Sequence, residues 1–379
     1  MIHIKSHIVS GLLLFLVSVG LSLLSAIQFM RMHREEFISP SEDLSSKKRL
    51  SSYFSGLKDT PGDTDVFVYQ GQKEGGNLLV LGGTHPNEPA GFITAVLLVE
   101  NIKVLRGKVI IIPRANNSGF THSDPQEASP QYFALDTPRG PRLFRYGSRL
   151  TNPVHQWPDP ALYLNPSGQK LSGTEIRNLN RCYPGKKEGN LTERIAFGIM
   201  ELIRKEEIHL GIDLHEAAPE YPVINAIVFH ENSAELAALS QMELQLEGYE
   251  LRLEASPPNL RGLSHREWGD AAGIQAILLE TTNASHGRLK GKTSPSLIVE
   301  GKDKNYAKAA KLGRLFVPYP EEGVALRIRV ARHLASLRAL LKSLDDIAPE
   351  KGLDIDQLPS SSQVERLGIG AFLKPPKGG

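Results

Sequence analysis

The sequence predicts an α/β protein with a mixed, largely parallel central sheet and helices on both faces. Short apolar runs, typical of strands that are buried on both faces, alternate with amphipathic helical patterns. Because the two kinds of segment alternate, we expect the strands to lie side by side in one sheet that the helices cover. The apolar runs are Leu78–Leu81, Val109–Ile112, Leu210–Leu214, Ile224–Phe229 and Ile274–Leu279.

The helical patterns follow these runs or lie between them. Each pattern places its apolar residues on one side of a helix, which suits packing against a sheet. The last pattern is the longest and comes after the final apolar run. The patterns are the stripe Phe92, Ile93, Val96 and Leu97, the segments Leu191–Ile203 and Glu235–Leu246, and the segment Val324–Leu344.

Residues 1–30 are predicted to form a transmembrane anchor. Between Ser6 and Met30 the only ionisable side chain is His7, and the run is long enough to cross a bilayer as a helix. A cleaved signal peptide is less well supported, because Leu24 fills a position before Ala26 that should be small. Positive charges nearly balance on the two sides of the helix, so they orient it weakly. We expect a single-pass protein with an extracytoplasmic catalytic domain.

The remaining chain is predicted to divide into three parts. Residues 31–60 are polar and rich in Ser, Glu and Lys, which is typical of a juxtamembrane linker. Residues 61–345 carry the alternating pattern and form the catalytic domain. Residues 346–379 are rich in Pro, Ser and Gly and are expected to form a flexible tail.

Composition excludes some classes of function. The chain has 379 residues, with 44 Lys and Arg against 42 Asp and Glu, and it contains no basic arm or Cys/His finger. We therefore expect no nucleic-acid partner. The one cysteine, Cys182, excludes an intrachain disulfide and a cysteine-rich zinc cluster.

Chemically active side chains follow four of the five predicted strands. His85 and Glu88 come after the first strand, in GGTHPNEPAG, and Arg114 comes after the second. His215 follows the third strand and Glu280 follows the last. Because ligands bind beyond the carboxyl ends of strands in open α/β sheets, we expect these side chains to share one site.

His85, Glu88 and His215 are the predicted metal ligands. Two ligands close in sequence and one distant ligand are usual for a catalytic zinc site, which keeps a fourth position open. Asp213 lies two residues before His215 and shares its face if the strand continues, so it is placed to orient the imidazole. The sequence therefore predicts one zinc ion.

Two further positions complete the predicted site. Glu280 follows an apolar run, where partial desolvation raises the pKa of a carboxyl group towards values useful for a general base. Asn180 and Arg181, in RNLNRCYPG, offer an amide donor and a forked guanidinium donor that match a carboxylate.

The ordered motifs GGTHPNEPAG, NLNRCYPG, DLHEA and ILLETT resemble those of the zinc carboxypeptidase superfamily, in its succinylglutamate desuccinylase/aspartoacylase-like branch. The resemblance spans roughly residues 78–282. It implies a three-layer αβα zinc-carboxypeptidase-like fold and zinc ligands His85, Glu88 and His215. It also implies that Asn180 and Arg181 contact a substrate carboxylate and that Glu280 is the catalytic base.

The chain departs from that family in three places. The family's second arginine, which helps to stabilise the oxyanion, has two candidate matches, Arg114 and Arg177. An insertion-like stretch covers residues 121–172. After Glu280 the chain is too short for the β-rich domain of the desuccinylases and closes with a helix, as the compact carboxypeptidases do.

Residues 257–270, notably Arg261, His265 and Arg266, are candidates for a specificity pocket or for a polar surface loop.

These observations predict zinc-dependent hydrolysis of an amide bond in a substrate with a free carboxylate. A peptide or cell-wall peptide is the favoured substrate, because the compact ending offers no extra domain to roof a small pocket. A deacylase of small N-acyl amino acids is the alternative within enzymes. A membrane-tethered binding protein without catalysis is the alternative outside them.

Overall fold

The computed structural model describes residues 2–124 and 131–375, apart from the side chains of residues 2–5 and 131. The helices are α1 (Ile2–Arg31), α2 (Pro89–Asn101), α3 (Leu191–Lys205), α4 (Ala234–Leu246), α5 (Ser264–Ala272), α6 (Pro295–Glu300), α7 (Lys304–Lys311), α8 (Leu326–Ile347) and α9 (Ser361–Leu367). The strands are β1 (Ser46–Arg49), β2 (Asp65–Gln70), β3 (Lys73–Leu81), β4 (Lys103–Ile112), β5 (Gln131–Thr137), β6 (Gly140–Tyr146), β7 (Leu162–Leu164), β8 (Lys170–Ser172), β9 (Leu210–Ala217), β10 (Ala226–Phe229), β11 (Arg252–Ala255), β12 (Gln275–Thr282) and β13 (Asp354–Asp356).

A nine-stranded mixed sheet forms the centre of the fold, which confirms the predicted class. Its order is β1-β2-β4-β3-β9-β12-β10-β11, and β13 pairs with β4 beside this path. The four central strands β4, β3, β9 and β12 are parallel. Antiparallel pairs occur on both sides of them, between β2 and β4 and between β12 and β10. All five predicted strands lie in this sheet.

Both faces of the sheet are buried, which explains the unbroken apolar runs. In β3, Leu78 and Val80 belong to one hydrophobic core with α2 and α8. Leu79 and Leu81 point to the other face and belong to a second core with α3. Successive strand residues face opposite sides, so a strand covered on both sides needs apolar residues throughout.

The predicted linker, residues 31–60, differs from the observed structure. It contributes strand β1, which pairs with β2, and buries Leu50, Tyr53 and Leu57 in the second core. Its polar composition concealed these contacts, because only a few apolar side chains in short 3-10 turns point inward.

The predicted flexible tail also differs where the structure describes it. Residues 354–356 form β13 against β4, and Val364 and Ile369 join the first core. The last residues of that prediction, 376–379, lie outside the described residues, as do residue 1 of the predicted anchor and residues 125–130 of the insertion-like stretch.

Helix α1 projects away from this packing. Its segment Ser6–Arg31 is 26 residues long, has no buried residue in its most apolar window, and is long and apolar enough to cross a membrane. Length and composition alone fit either a membrane anchor or a signal sequence.

Candidate active site

The turn after β3 brings His85 and Glu88 to the carboxyl edge of the sheet. Gly83 has φ of +64°, a conformation that suits glycine, and a Cβ there would lie 2.8 Å from the carbonyl oxygen of Pro113. Pro89 begins α2, where its missing N–H does no harm. Glu88 therefore precedes the helix, and its side chain turns towards the site instead of capping the helix.

His215 and Glu280 lie within strands β9 and β12, whereas the sequence predicted that they follow them. The two residues are directly opposite in the parallel register of these strands. Opposite residues project from the same face of a sheet, so the two side chains meet at the same site. Asp213, two residues before His215, projects from the same face as well.

The three predicted ligands converge. His85 Nδ1 lies 2.8 Å from Glu88 Oε1, and His215 Nδ1 lies 2.9 Å from Glu88 Oε2. One potential ligand atom from each residue lies within 4.8 Å of the other two, and all three residues are buried. Two imidazoles and one carboxylate form a donor set that Zn²⁺ takes in catalytic sites, so the residues fit this metal.

The outer nitrogen of each imidazole lies close to an oxygen atom. His85 Nε2 forms a hydrogen bond of 2.9 Å with Asn178 Oδ1. His215 Nε2 lies 3.0 Å from Asp213 Oδ2, which is an ion-pair distance without hydrogen-bond geometry. If each Nε2 carries its proton towards that oxygen, each Nδ1 presents a lone pair to a metal. Asp213 is itself held by hydrogen bonds that the hydroxyls of Thr84 and Ser264 donate.

We expect Asn178→Ala to weaken zinc binding by about 10- to 100-fold, because loss of the oxygen that orients a ligating histidine has effects of this size. Competition with a zinc chelator of known affinity measures the change. Asn178→Asp is a second comparison. It keeps an oxygen acceptor at 178 and should bind zinc more tightly than Asn178→Ala, although its other oxygen would face Glu175 Oε2, to which Asn178 Nδ2 donates at 2.7 Å in wild type. Equal zinc affinity in Asn178→Ala and wild type would show that this contact does not orient His85.

Burial and neighbouring charges set the ionisation of the cluster. Burial lowers the pKa of His85 to about 3, and the guanidinium of Arg149 adds to this effect. Burial opposes ionisation of Glu88, but His85 and His215 hold its pKa well below the usual range. For His215 burial favours the neutral ring, yet Asp213 and Glu88 raise its pKa well above the ordinary value. Near neutral pH these shifts favour a charged Glu88, a protonated His215 and a neutral His85.

Glu280 lines the cavity as a buried carboxyl group. Burial raises its pKa to about 8, with Glu88 adding to the rise and His215 opposing it. Its Oε2 atom is buried and has no hydrogen-bond partner among the described residues. A carboxyl group that is desolvated and poorly paired binds a proton readily, which is what a base near neutral pH requires.

Asn180 and Arg181 line the same cavity, which has a volume of about 380 Å³. The side-chain oxygen of Asn180 accepts a hydrogen bond from Ser264 N at 2.8 Å. The amide NH₂ group of Asn180 is therefore the end that can donate to a ligand. The Arg181 side chain is 23% exposed and lies 3.9 Å from Glu175, which leaves donors for a ligand carboxylate.

The structure places Arg114 and Arg177 away from this cavity. Arg114 is buried against Glu35 and Glu36, and Arg177 is paired with Asp159. Each guanidinium is thus committed to another carboxylate. Neither residue lines the cavity, so these two predictions for a substrate-contacting arginine need correction.

Arg149 lies beside Glu88 and His85 and was not among the predicted site residues. Its Nη1 lies 3.0 Å from Glu88 Oε1 and 3.1 Å from His85 Nδ1, and its side chain is 34% exposed to the cavity and solvent. The residue comes three positions after β6, within the insertion-like stretch. That stretch shows no periodic pattern, and nothing in the sequence distinguishes Arg149 from its neighbouring arginines.

The walls of the cavity combine apolar and histidine side chains. Among the specificity candidates, His265 lines the cavity, whereas Arg261 and Arg266 are both paired with Asp270. His265 is buried, and neither of its ring nitrogens has a hydrogen-bond partner in residues 2–124 and 131–375. The apolar wall is formed by Val223, Val228, Leu260, Leu263 and Leu278.

Comparison with known proteins gives structural matches alone. No protein-family model and no curated protein sequence matches the chain. Among solved structures, the tripeptide-bound cell shape determinant Csd4 of Helicobacter pylori has a TM-score of 0.47 at 14% identity, covering 80% of this chain and 59% of that one. A metallo-carboxypeptidase from Burkholderia cenocepacia has a TM-score of 0.45 at 11% identity, covering 79% and 69%.

A succinylglutamate desuccinylase/aspartoacylase from Rhodobacter sphaeroides is also similar, with a TM-score of 0.38 at 16% identity, covering 73% of this chain and 59% of that one. The chain thus spans about three fifths of the length of the Csd4 and desuccinylase structures. At this degree of similarity, activity has to be argued from the site's own residues.

Proposed function

We propose that this chain is a zinc-dependent hydrolase that cleaves an amide bond in a substrate with a free carboxylate. One observation carries the proposal: a single cavity joins the His85, Glu88 and His215 cluster to Glu280 and to Asn180 and Arg181. The cavity thus combines a metal-ligand set, a carboxyl group with a raised pKa and donors for an anion. Polar residues without a shared function would rarely converge on one cavity in this way.

His85, Glu88 and His215 would hold one zinc ion through two imidazole nitrogens and a carboxylate. When bound, such an ion lowers the pKa of a water molecule and polarises the carbonyl group of the substrate. Three protein ligands leave a coordination position for these groups. Asn178 and Asp213 would keep the two imidazoles in the orientation that this binding needs.

Glu280 would take the proton from the attacking water and give it to the leaving amine. Its unpartnered Oε2 and its raised pKa support this role. Arg149 would donate to the oxygen on which negative charge develops, because its guanidinium lies beside Glu88 and is partly exposed to the cavity. Asn180 and Arg181 would bind the substrate's carboxylate and so fix the position of the scissile bond.

A peptide, including a cell-wall peptide, is the substrate class that we favour over a small N-acyl amino acid. Val223 and Pro257 line the cavity and are exposed, so the cavity opens to solvent on this side. An open cavity has room for a substrate that extends beyond it.

Helix α1 would anchor the protein in a membrane, with the catalytic domain on the extracytoplasmic side. The helix is long and apolar enough to span, and the apolar side chains along its length are exposed. Exposed Leu, Val and Phe side chains over such a length are stabilised by lipid and not by water.

Metal analysis of the full chain in detergent tests the proposal directly. We expect close to one zinc per chain in wild type and a near-complete loss in His85→Ala, because the variant removes one of only three protein ligands. His7→Ala is the matched control, since it removes an exposed histidine in α1 and should keep its zinc. Folded wild-type protein that binds no divalent metal when supplied would contradict the hydrolase and support a non-catalytic binding protein.

Arg181→Met is expected to raise KM by about 10- to 100-fold with a smaller change in kcat, because a hydrogen bond to a charged group contributes about 1.5–3 kcal/mol. The measurement is steady-state hydrolysis of a peptide with a free terminal carboxylate. The same peptide with an amidated end is the control, since wild type and variant should differ little on it. An unchanged KM for the free acid would exclude Arg181 from carboxylate binding.

A further inference from the structure

The chain that leaves α1 is held tightly against the catalytic domain. Glu36 lies 2.8 Å from Arg145 Nε and 3.3 Å from Arg114 Nη1, and all three side chains are at most 5% exposed. Arg145 also donates a hydrogen bond to Met32 O at 2.8 Å, and Met32 is fully buried. We call Met32, Glu35, Glu36, Arg114 and Arg145 the juxtamembrane clamp.

The clamp makes α1 and the domain one unit. Burial opposes ionisation of Glu36, but Arg145 and Arg114 hold its pKa at about 2, so the pair stays charged near neutral pH. Further up the helix, Tyr132 donates its hydroxyl to Gln28 O at 2.8 Å. The domain thus contacts the chain before the helix ends, at Gln28, and after it ends, at Met32. Because of these two contacts, the domain cannot swing freely about the end of α1.

The turn at residues 153–157 is connected to this helix end through residues 118–123. His155 Nδ1 is 2.7 Å from Ser118 Oγ, and the hydroxyl of Ser123, five residues after Ser118, lies 3.8 Å from Met32 Sδ. Burial lowers the pKa of His155, and the neighbouring charge of His33 acts in the same direction. His33 lies two residues after the last residue of α1, so the turn is close to the level at which the helix ends.

Two large apolar side chains of this turn face solvent. Val154 is 87% exposed and Trp157 is 72% exposed. Tryptophan is enriched where membranes meet water, because its ring is apolar and its N–H can still donate to headgroups. Arg31 and Arg34, at and just after the end of α1, are exposed and add positive charge at this end of the helix. This combination suits the surface of a lipid bilayer.

We propose that the turn carrying Val154 and Trp157 inserts into the surface of the bilayer that α1 spans, so that the catalytic domain lies on the membrane in a fixed orientation. The proposal rests on the anchoring role proposed for α1. The occupant of this surface is lipid because the turn adjoins the end of the apolar helix, and the clamp prevents the domain from moving away.

The active site would then lie close to the lipid headgroups. Arg149 lines the cavity and precedes Val154 by five residues, which separates the two by at most about 18 Å along an extended chain. A substrate that is held at the membrane surface would therefore reach the cavity, whereas a rigid domain far from the bilayer would require a free substrate.

Tryptophan fluorescence tests this placement, because the chain contains two tryptophans and the second, Trp268, is fully buried. The full chain is reconstituted in vesicles of phosphatidylcholine with brominated acyl chains, which quench tryptophan on contact. Wild type minus Trp157→Phe gives the emission of Trp157. We expect brominated lipid to remove most of that difference and aqueous iodide to leave it almost unchanged.

A matched control carries a tryptophan at an equally exposed position elsewhere. Leu246 is 84% exposed at the end of α4, a helix that packs against α8 and β11. In the double variant Trp157→Phe/Leu246→Trp, iodide should quench the new tryptophan and brominated lipid should not. Quenching of Trp157 by iodide alone would overturn the proposal.

Flotation of the same vesicles separates the two proposals. Protein that floats while Trp157 stays insensitive to brominated lipid retains its anchor but does not lie on the bilayer, which overturns the inference alone. Protein that fails to float overturns the anchoring role of α1 and the inference together. Protein that floats with Trp157 quenched by lipid supports both.

Discussion

Glu280→Gln is expected to lower kcat by about 10²- to 10⁴-fold, because it removes the group that moves protons in the proposed reaction. Glutamine has nearly the same size as glutamate but accepts no proton near neutral pH. Since Glu280 Oε2 has no partner among the described residues, the change breaks no hydrogen bond to that atom. Steady-state hydrolysis of a peptide substrate measures the effect.

Metal content distinguishes this effect from a damaged site. Glu280 is not among the three predicted ligands, so Glu280→Gln should retain one zinc per chain and a KM close to that of wild type. Glu254→Gln is a suitable control, because Glu254 also lines the cavity but does not belong to the metal cluster. A Glu280→Gln enzyme with more than about a tenth of wild-type kcat would remove Glu280 from the role of general base.

Arg329→Met is expected to destabilise the fold by about 3–5 kcal/mol. The reason is that the buried carboxylate of Glu216 loses the positive charge that compensates it. Arg329 Nη1 lies 2.6 Å from Glu216 Oε1, and the two side chains are 1% and 0% exposed. Even beside Arg329, burial raises the pKa of Glu216 to about 7. Without Arg329 the pKa should rise further, so the loss of stability should be larger at about pH 9, where the carboxyl group must ionise, than at about pH 6, where it can stay protonated. Chemical denaturation monitored by circular dichroism gives the free energy of unfolding.

The double variant Arg329→Met/Glu216→Gln provides the control. It removes the uncompensated charge together with its partner, so we expect it to recover a large part of the lost stability. Glutamine keeps an oxygen that can accept the hydrogen bond that Ala90 N donates to Glu216. If the single and double variants were equally destabilised, the loss would come from packing around Arg329 and not from the unpaired carboxylate.

The strands and the metal-ligand candidates His85, Glu88 and His215 could be predicted, because short sequence patterns indicate them. A strand buried on both faces needs mostly apolar residues. Strands β3, β4, β10 and β12 each contain an unbroken apolar run, and in β9 the run is interrupted by Asp213. His85, Glu88, His215 and Glu280 stand at or near the ends of such runs, and the parallel register of β9 and β12 then aligns the last two. The predicted ends of β9 and β12 are too early, because His215 and Glu280 are polar and the prediction ended each strand before them.

Arg149 could not be predicted for a different reason. Its position depends on the path of residues 147–152 across the sheet edge, where Ser148 N donates to Gly119 O and Thr151 N donates to Arg177 O. These are long-range contacts within irregular chain, which no periodic pattern encodes. Arg114 was a reasonable candidate by its place after β4, but Glu35 and Glu36, from a segment interpreted as a linker, occupy its guanidinium.

The pairing of β1 with β2 decides where the polypeptide can be shortened. A fragment that starts at Ser51 lacks β1 and Leu50, so β2 becomes an open sheet edge with unpaired backbone groups. Such an edge recruits strands from other molecules and promotes aggregation. Such a fragment would also lack Glu36, which leaves Arg114 and Arg145 buried without their main partner. A water-soluble version of the enzyme should therefore begin before Met32.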